Sequence, residues 1–288
     1  MAVLAIFYWA LFLTPAAPVT APTEPAALTS DAARVLVDRA QSLIAERRYE
    51  DALVPMLRLF QANPANHEYA RRLAEISGQL GRFRDEARYW EQFVRFSPTP
   101  IEACPQIGDV YWKLGLQKES VDASERCLGF DPEDIDAVFY LARAYERTLQ
   151  FDAAERFYRR GIAQAPEYVD MRMGLARVEL HRGHTGNARA AAMRVLADAP
   201  DDVDAMLIAG LSFQREGNRR EAKKYFERGV RVEDAYADFH LALGVLAEEE
   251  RNTREAMNQY SRTIALDGTR QDAVARRDRL ASRMAGHD

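Results

Sequence analysis

The feature that most constrains this chain is a repeat of 34 residues. Proline recurs at Pro64, Pro98, Pro132, Pro166 and Pro200, each 34 residues after the last. Small residues keep the same period at Ala40, Ala74, Gly108, Ala142, Ala176, Gly210 and Gly244. A second small column runs Ala52, Ser120, Ala154, Ala188, Ala222 and Ala256; Glu86 interrupts it, with Ala87 alongside. A mostly large column holds Met56, Trp90, Ser124, Tyr158, Ala192, Phe226 and Tyr260, and Leu73, Ile107, Leu141, Leu175, Ala209 and Leu243 form a leucine-like one. Glycines at 81, 115, 183 and 217 mark turns. A fixed period of this length is the mark of stacked supersecondary units, because one helix pair cannot bury its apolar face without neighbours.

Counted from Ala33, seven ungapped units fill residues 33–270: 33–66, 67–100, 101–134, 135–168, 169–202, 203–236 and 237–270. The sixth and seventh end at Asp234 and Gly268 in place of proline. Residues 271–288 are polar with a weak apolar stripe through Ala273, Leu280 and Met284, as expected of a capping helix and tail. These columns resemble the tetratricopeptide repeat family. The resemblance implies an all-α fold, a right-handed superhelical solenoid of stacked antiparallel helix pairs, with the first helix of each pair lining a concave groove. It implies a protein-protein interaction scaffold rather than an enzyme.

Ahead of the repeats, Ala2 to Leu13 is a continuous apolar run. At about 12 residues it is too short to span a bilayer and suits the apolar region of a signal peptide. No Lys or Arg precedes it, and the best cleavage site, at Val19-Thr20-Ala21, is followed by Pro22. Residues 1–21 read as a signal-like segment and 22–32 as a Pro/Ala-rich linker. The expected location is periplasmic or secreted, in a bacterial envelope assembly, with an uncleaved tail on a cytoplasmic protein as the alternative. Membrane contact is expected only through this segment. The net charge of −5 argues against nucleic-acid binding, which needs a basic field.

The inward columns that the resemblance implies differ along the chain. The middle units present Asp109, Trp112, Phe139, Arg143, Glu146, Arg147, Met173, Arg177 and His181; the last two present Leu207, Leu211, Gln214, Arg215, Leu241 and Val245. Arginines beside exposed aromatics have the composition of an interface hot spot, and Arg grips carboxylates bidentately. The partner-binding candidates are therefore Trp112, Phe139, Arg143, Arg147, Met173, Arg177, His181, Leu207, Leu211 and Arg215. Their expected ligand is an acidic or apolar peptide or helix of another protein. Two other readings stay open: the arginines pair internally with Glu146 and Asp109, or the ligand is a second copy of this chain. The carboxylate clamp by which family members hold chaperone tails is missing in the most favourable frame. Arg71, Glu75, Gln106, Asp136 and Tyr140 stand there, and Glu75 and Asp136 would repel a carboxylate.

Cys104 and Cys127 lie at the start of one helix and near the end of its partner, so antiparallel packing brings them together. They are a possible disulfide, or simply two small core hydrophobes. His181 and His184 have no further ligands nearby, so neither metal nor cofactor is expected. His240 occupies a core-facing column.

Overall fold

The computed structural model describes residues 28–285 and is helical throughout apart from turns. The signal-like segment 1–21 lies outside the described residues. The chain divides into two compact units, Met1–Phe96 and Ser97–Asp288.

The first unit contains α1 (Ser30–Ala45), α2 (Tyr49–Ala62), α3 (His67–Gln79) and α4 (Phe83–Phe96), packed as successive antiparallel pairs. The linker expected through residue 32 ends early. The Thr29 side chain accepts a hydrogen bond from the Ala32 amide, and that N-cap starts the helix at Ser30. Asn66 caps α3 in the same way.

The second unit opens with a 3-10 turn, Pro100–Ala103, followed by α5 (Cys104–Lys113) and α6 (Gln117–Phe130). Pro105 accounts for the break. With no N–H it could not continue a helix begun at residue 101, but it is harmless in the first turn of one begun at Cys104. Four pairs follow: α7 (Ile135–Arg147) with α8 (Phe151–Gln164), α9 (Val169–His181) with α10 (Thr185–Asp198), α11 (Val203–Arg215) with α12 (Arg219–Val232), and α13 (Ala237–Glu249) with α14 (Thr253–Leu266). A last helix, α15 (Gln271–Ala285), covers α14. Ala273 and Leu280 of α15 are buried, but Met284, expected in the same stripe, is exposed because it lies past the end of that contact. None of the described helices is long and apolar enough to cross a membrane.

The small columns are where helices meet. Ala142, Ala154, Ala188 and Ala222 are fully buried. A Cβ on Gly210 would lie 2.3 Å from the Phe226 ring of its own pair, and one on Gly161 would lie 2.2 Å from Sδ of Met171 in the next. Large residues of the second helix thus sit over small ones of the first, while the next pair docks at the second helix. Prolines 132, 166 and 200 follow the C-caps Asp131, Ala165 and Ala199, where they stop the second helices.

One further column belongs to the backbone. The second residue after each first helix adopts positive φ: Gly81, Gly115, Gly183 and Gly217, but also Arg47 (57°), Leu149 (61°) and Arg251 (60°). The handedness is therefore demanded by the turn, and three units meet it without glycine.

In the second unit α5, α7, α9, α11 and α13 pack directly against one another, and no comparable contact joins successive second helices. The first helices thus form the tighter layer, and the side chains they turn away from their partners share one face. A recurrent latch ties the layer together. Tyr168 donates to Asp136 (3.0 Å), Tyr236 donates to Asp204 (2.7 Å), and Arg270 pairs with Asp238.

Candidate functional site

The candidate residues of the inner layer separate into three groups. The first is a charged centre. Asp109 of α5 accepts from Arg143 Nη2 at 2.8 Å and also from Arg147, both on α7. The arginine planes are flanked by rings: Arg143 lies 5.2 Å from the Tyr140 centroid, and Arg147 lies 5.6 Å from that of Trp112. One carboxylate shared by two guanidinium groups leaves a surplus positive charge and several N–H donors unspent.

One pair further on, Arg177 of α9 grips Glu146 of α7 bidentately, with Nε to Oε1 at 2.7 Å and Nη2 to Oε2 at 3.2 Å. Tyr158 of α8 donates its hydroxyl to the same carboxylate. Burial pushes the Tyr158 hydroxyl far above its ordinary pKa, and the charge of Glu146 adds to the shift. Burial works against the Arg177 charge, but the hydrogen bonds and charge of Glu146 outweigh it, so the guanidinium is held above its ordinary value. Arg143 and Arg177 do sit on successive first helices, yet only Arg143, with Arg147, retains spare positive charge. Arg177 is neutralised.

The second group is covered. Phe139 and Met173, expected on the open face, are buried at 9% and 3% exposure. Phe139 packs among the rings of Tyr140, Tyr158 and Tyr168, and Met173 joins the core around Ala176 and Met206. Rings of its own unit cover Phe139 and the next pair helps cover Met173, which corrects the expectation for both residues.

The third group is apolar and half-buried. Leu207 and Leu211 of α11 and Leu241 and Val245 of α13 rest against the core with part of each side chain open. These two helices touch, so the four stand as an apolar strip on adjacent helices of the inner layer. Beside the strip, Arg215 donates to the Leu180 carbonyl. His181 lies exposed and stacked on Phe151, with centroids 5.0 Å apart. A row of aspartates, Asp136, Asp170, Asp204 and Asp238, occupies the second position of four successive first helices. Sequence reasoning missed it as a row, although its 34-residue spacing was there to be found.

Cys104 and Cys127 form a disulfide, with Cα atoms 5.7 Å apart. It joins the start of α5 to the end of α6, and both residues are buried. His184 pairs with Glu179, and His240 lies between Gln259 and the Asp234 carbonyl. No cluster of metal-ligating side chains occurs among the described residues.

Tetratricopeptide repeat family models match residues 101–134, 149–209 and 207–273, together more than half of the chain. No curated protein sequence matches it. Among solved structures, a tetratricopeptide repeat protein from Parabacteroides merdae superposes with a TM-score of 0.79 at 14% identity, over 86% of this chain and 98% of its own. The Cut9–Hcn1 hetero-tetramer of the APC/C gives a TM-score of 0.64 at 11% identity, over 88% of this chain and 56% of that one. PilW, described as a type IV pilus biogenesis factor, gives 0.57 at 19% identity, over 72% and 96%. At these identities the likeness shows the fold alone. The helix pairs, their 34-residue columns and the matching models agree that this chain belongs to the tetratricopeptide repeat family.

Proposed function

We propose that this protein is a non-enzymatic scaffold that holds a segment of a partner protein against the inner layer of its second unit. The observation that carries the reading is the half-buried strip Leu207, Leu211, Leu241 and Val245, an apolar surface on two adjacent helices that core packing leaves incomplete. An apolar stretch of the partner would complete it. Toward α7, a partner carboxylate would use the donors that Arg143 and Arg147 do not spend on Asp109. Arg177 drops out as a contact, because its charge is already matched by Glu146.

A photo-crosslinking residue at Leu211 tests this reading in cells. Adduct formation should depend on the inner face and weaken with Arg147→Glu. An adduct pattern indifferent to that substitution would refute it.

The envelope setting rests on two supports. The Cys104–Cys127 bond belongs to an oxidising compartment, and the Ala2–Leu13 run suits export. A secretion, polysaccharide-export or pilus assembly would be the client. Mass spectrometry of the mature N-terminus decides the matter; an intact Met1 on cytoplasmic, fully reduced protein rules export out.

A further inference from the structure

A second surface lies away from the inner strip, between successive second helices. Where the eleventh and twenty-third positions of a unit both carry rings, those rings stack. Tyr145 stacks on Phe157 and Phe213 on Tyr225, with centroids 5.6 Å apart in both pairs. The fifth unit carries Glu179 and Ala191 at these positions, and the seventh carries Ala247 and Gln259. A groove opens at each of those two units: one between α8 and α10 over α9, the other between α12 and α14 over α13.

The two grooves differ in charge. The one over α13 mixes Lys223 and Arg231 with Glu227, Glu250 and Glu255. The one over α9 holds about 320 Å³, has Ile162, Leu175, Ala176 and Ala191 for its apolar lining, and is bordered by Arg159, Arg172 and Arg194. Its one carboxylate, Glu179, is 4% exposed and already engaged by Arg159 and His184. Arg172 and Arg194 have no carboxylate partner among the described residues, and Nε of Arg172 is buried without any hydrogen bond. Two guanidinium groups beside an apolar lining want carboxylates flanking an aliphatic side chain. The net charge of −5 weighs against an anionic membrane as the source of that charge.

We propose that the groove over α9 is a second docking site, for an acidic segment of a partner protein that places one aliphatic side chain on Leu175 and Ala191 and carboxylates on Arg172 and Arg194. The site is separate from the inner strip, and neither proposal depends on the other.

Selection of random dodecapeptides displayed on phage against the full chain tests it. Enriched peptides should carry Leu, Ile, Met or Phe within two residues of Asp or Glu. A representative synthetic peptide should bind at least tenfold more weakly to Arg172→Glu/Arg194→Glu. It should lose affinity equally to Ala191→Phe, which refills the groove with a ring and leaves every charge in place. Leu211→Asp, on the inner strip, should leave its affinity unchanged. The proposal is overturned if no enriched peptide responds to either groove variant, if enriched peptides are basic, or if the double variant loses only binding to phosphatidylglycerol vesicles.

Discussion

Leu149 offers the most direct test of how the repeat dictates backbone shape. It stands where four other units have glycine, with φ at 61°. The turn makes the same bonds in both cases: Leu149 N to Glu146 O at 3.0 Å and Gln150 N to Tyr145 O at 2.9 Å, against Gly183 N to Leu180 O at 3.1 Å and His184 N to Glu179 O at 2.8 Å. The helix terminus, not the residue, therefore imposes the left-handed conformation. For a residue with a Cβ that conformation costs about 1–2 kcal/mol. Glycine would remove that cost but lose about 0.5–1 kcal/mol of backbone entropy on folding. Leu149 is 69% exposed, so its side chain contributes little burial to lose.

Leu149→Gly should thus stabilise the second unit by roughly 0.5–1 kcal/mol, the difference between those two terms. In a cooperative unit of this size that raises Tm by about 1–4 °C. Arg251 lies in the same unit but far along it, so Leu149→Gly/Arg251→Gly should give about twice the gain. Differential scanning calorimetry reads the shift, with Leu149→Ala as the control. Alanine removes the same exposed side chain but keeps the Cβ, so it should bring no gain. Equal stabilisation by alanine and glycine would refute the argument, because the gain would then come from losing an exposed apolar group.

Three further outcomes follow from the packing and the charges. Reduction of the disulfide, or Cys104→Ser/Cys127→Ser, reopens a loop of 23 residues and should lower stability by about 3 kcal/mol, read by denaturant titration with and without reductant. Gly174→Ala would put a Cβ 2.3 Å from the Tyr158 ring and should cost about 1–3 kcal/mol, whereas alanine at exposed Gly186, where nothing lies within 4 Å, should be close to neutral in the same titration. Burial favours protonation of Glu248, but hydrogen bonds from Tyr260 and Arg276 outweigh it and hold the carboxyl below its ordinary 4.5. A depressed carboxyl stabilises the fold fully above its unfolded pKa and loses that contribution as pH falls through the folded one. Amide exchange in α13–α15 should therefore quicken as pH drops below 4.5, relative to the intrinsic rate, and Glu248→Gln should flatten that dependence.

The pairing of helices was legible because its determinants are local. A small residue where helices cross and a proline after a C-cap each act within one unit, so a column of either is a direct readout. Exposure on the inner face was not legible in the same way. Phe139 stands in a column that projects inward, but Tyr158 and Tyr168 of its own unit close over it, and a column of residue types does not show where those rings turn. Met173 is covered in part by the core that the next pair brings. The groove over α9 was equally hidden, since its lining comes from three helices of two successive units.

Charge is where the repeat most misleads a reading by composition. A 34-residue period sets each side chain of a first helix beside its counterpart one unit on, so residues far apart in sequence become hydrogen-bond neighbours. Asp109 with Arg143 is such a pair, 34 residues apart, and Glu146 with Arg177, 31 apart, joins the same two helix faces one turn off that register. A cluster of inner-face arginines therefore signals a ligand only to the extent that acids in adjacent units fail to match it. By that criterion the inner face keeps the surplus of Arg143 and Arg147 over one aspartate, and the groove over α9 keeps Arg172 and Arg194, which have no carboxylate partner among the described residues because Glu179 is taken by Arg159 and His184. Reversing Arg147 should thus weaken an acidic ligand on the inner face without unfolding the protein, because Asp109 retains Arg143. Reversing Arg177 should destabilise the fold instead, because it leaves Glu146 buried against a second carboxylate. A comparable stability loss in both variants would show that the count of unmatched charge does not identify the site.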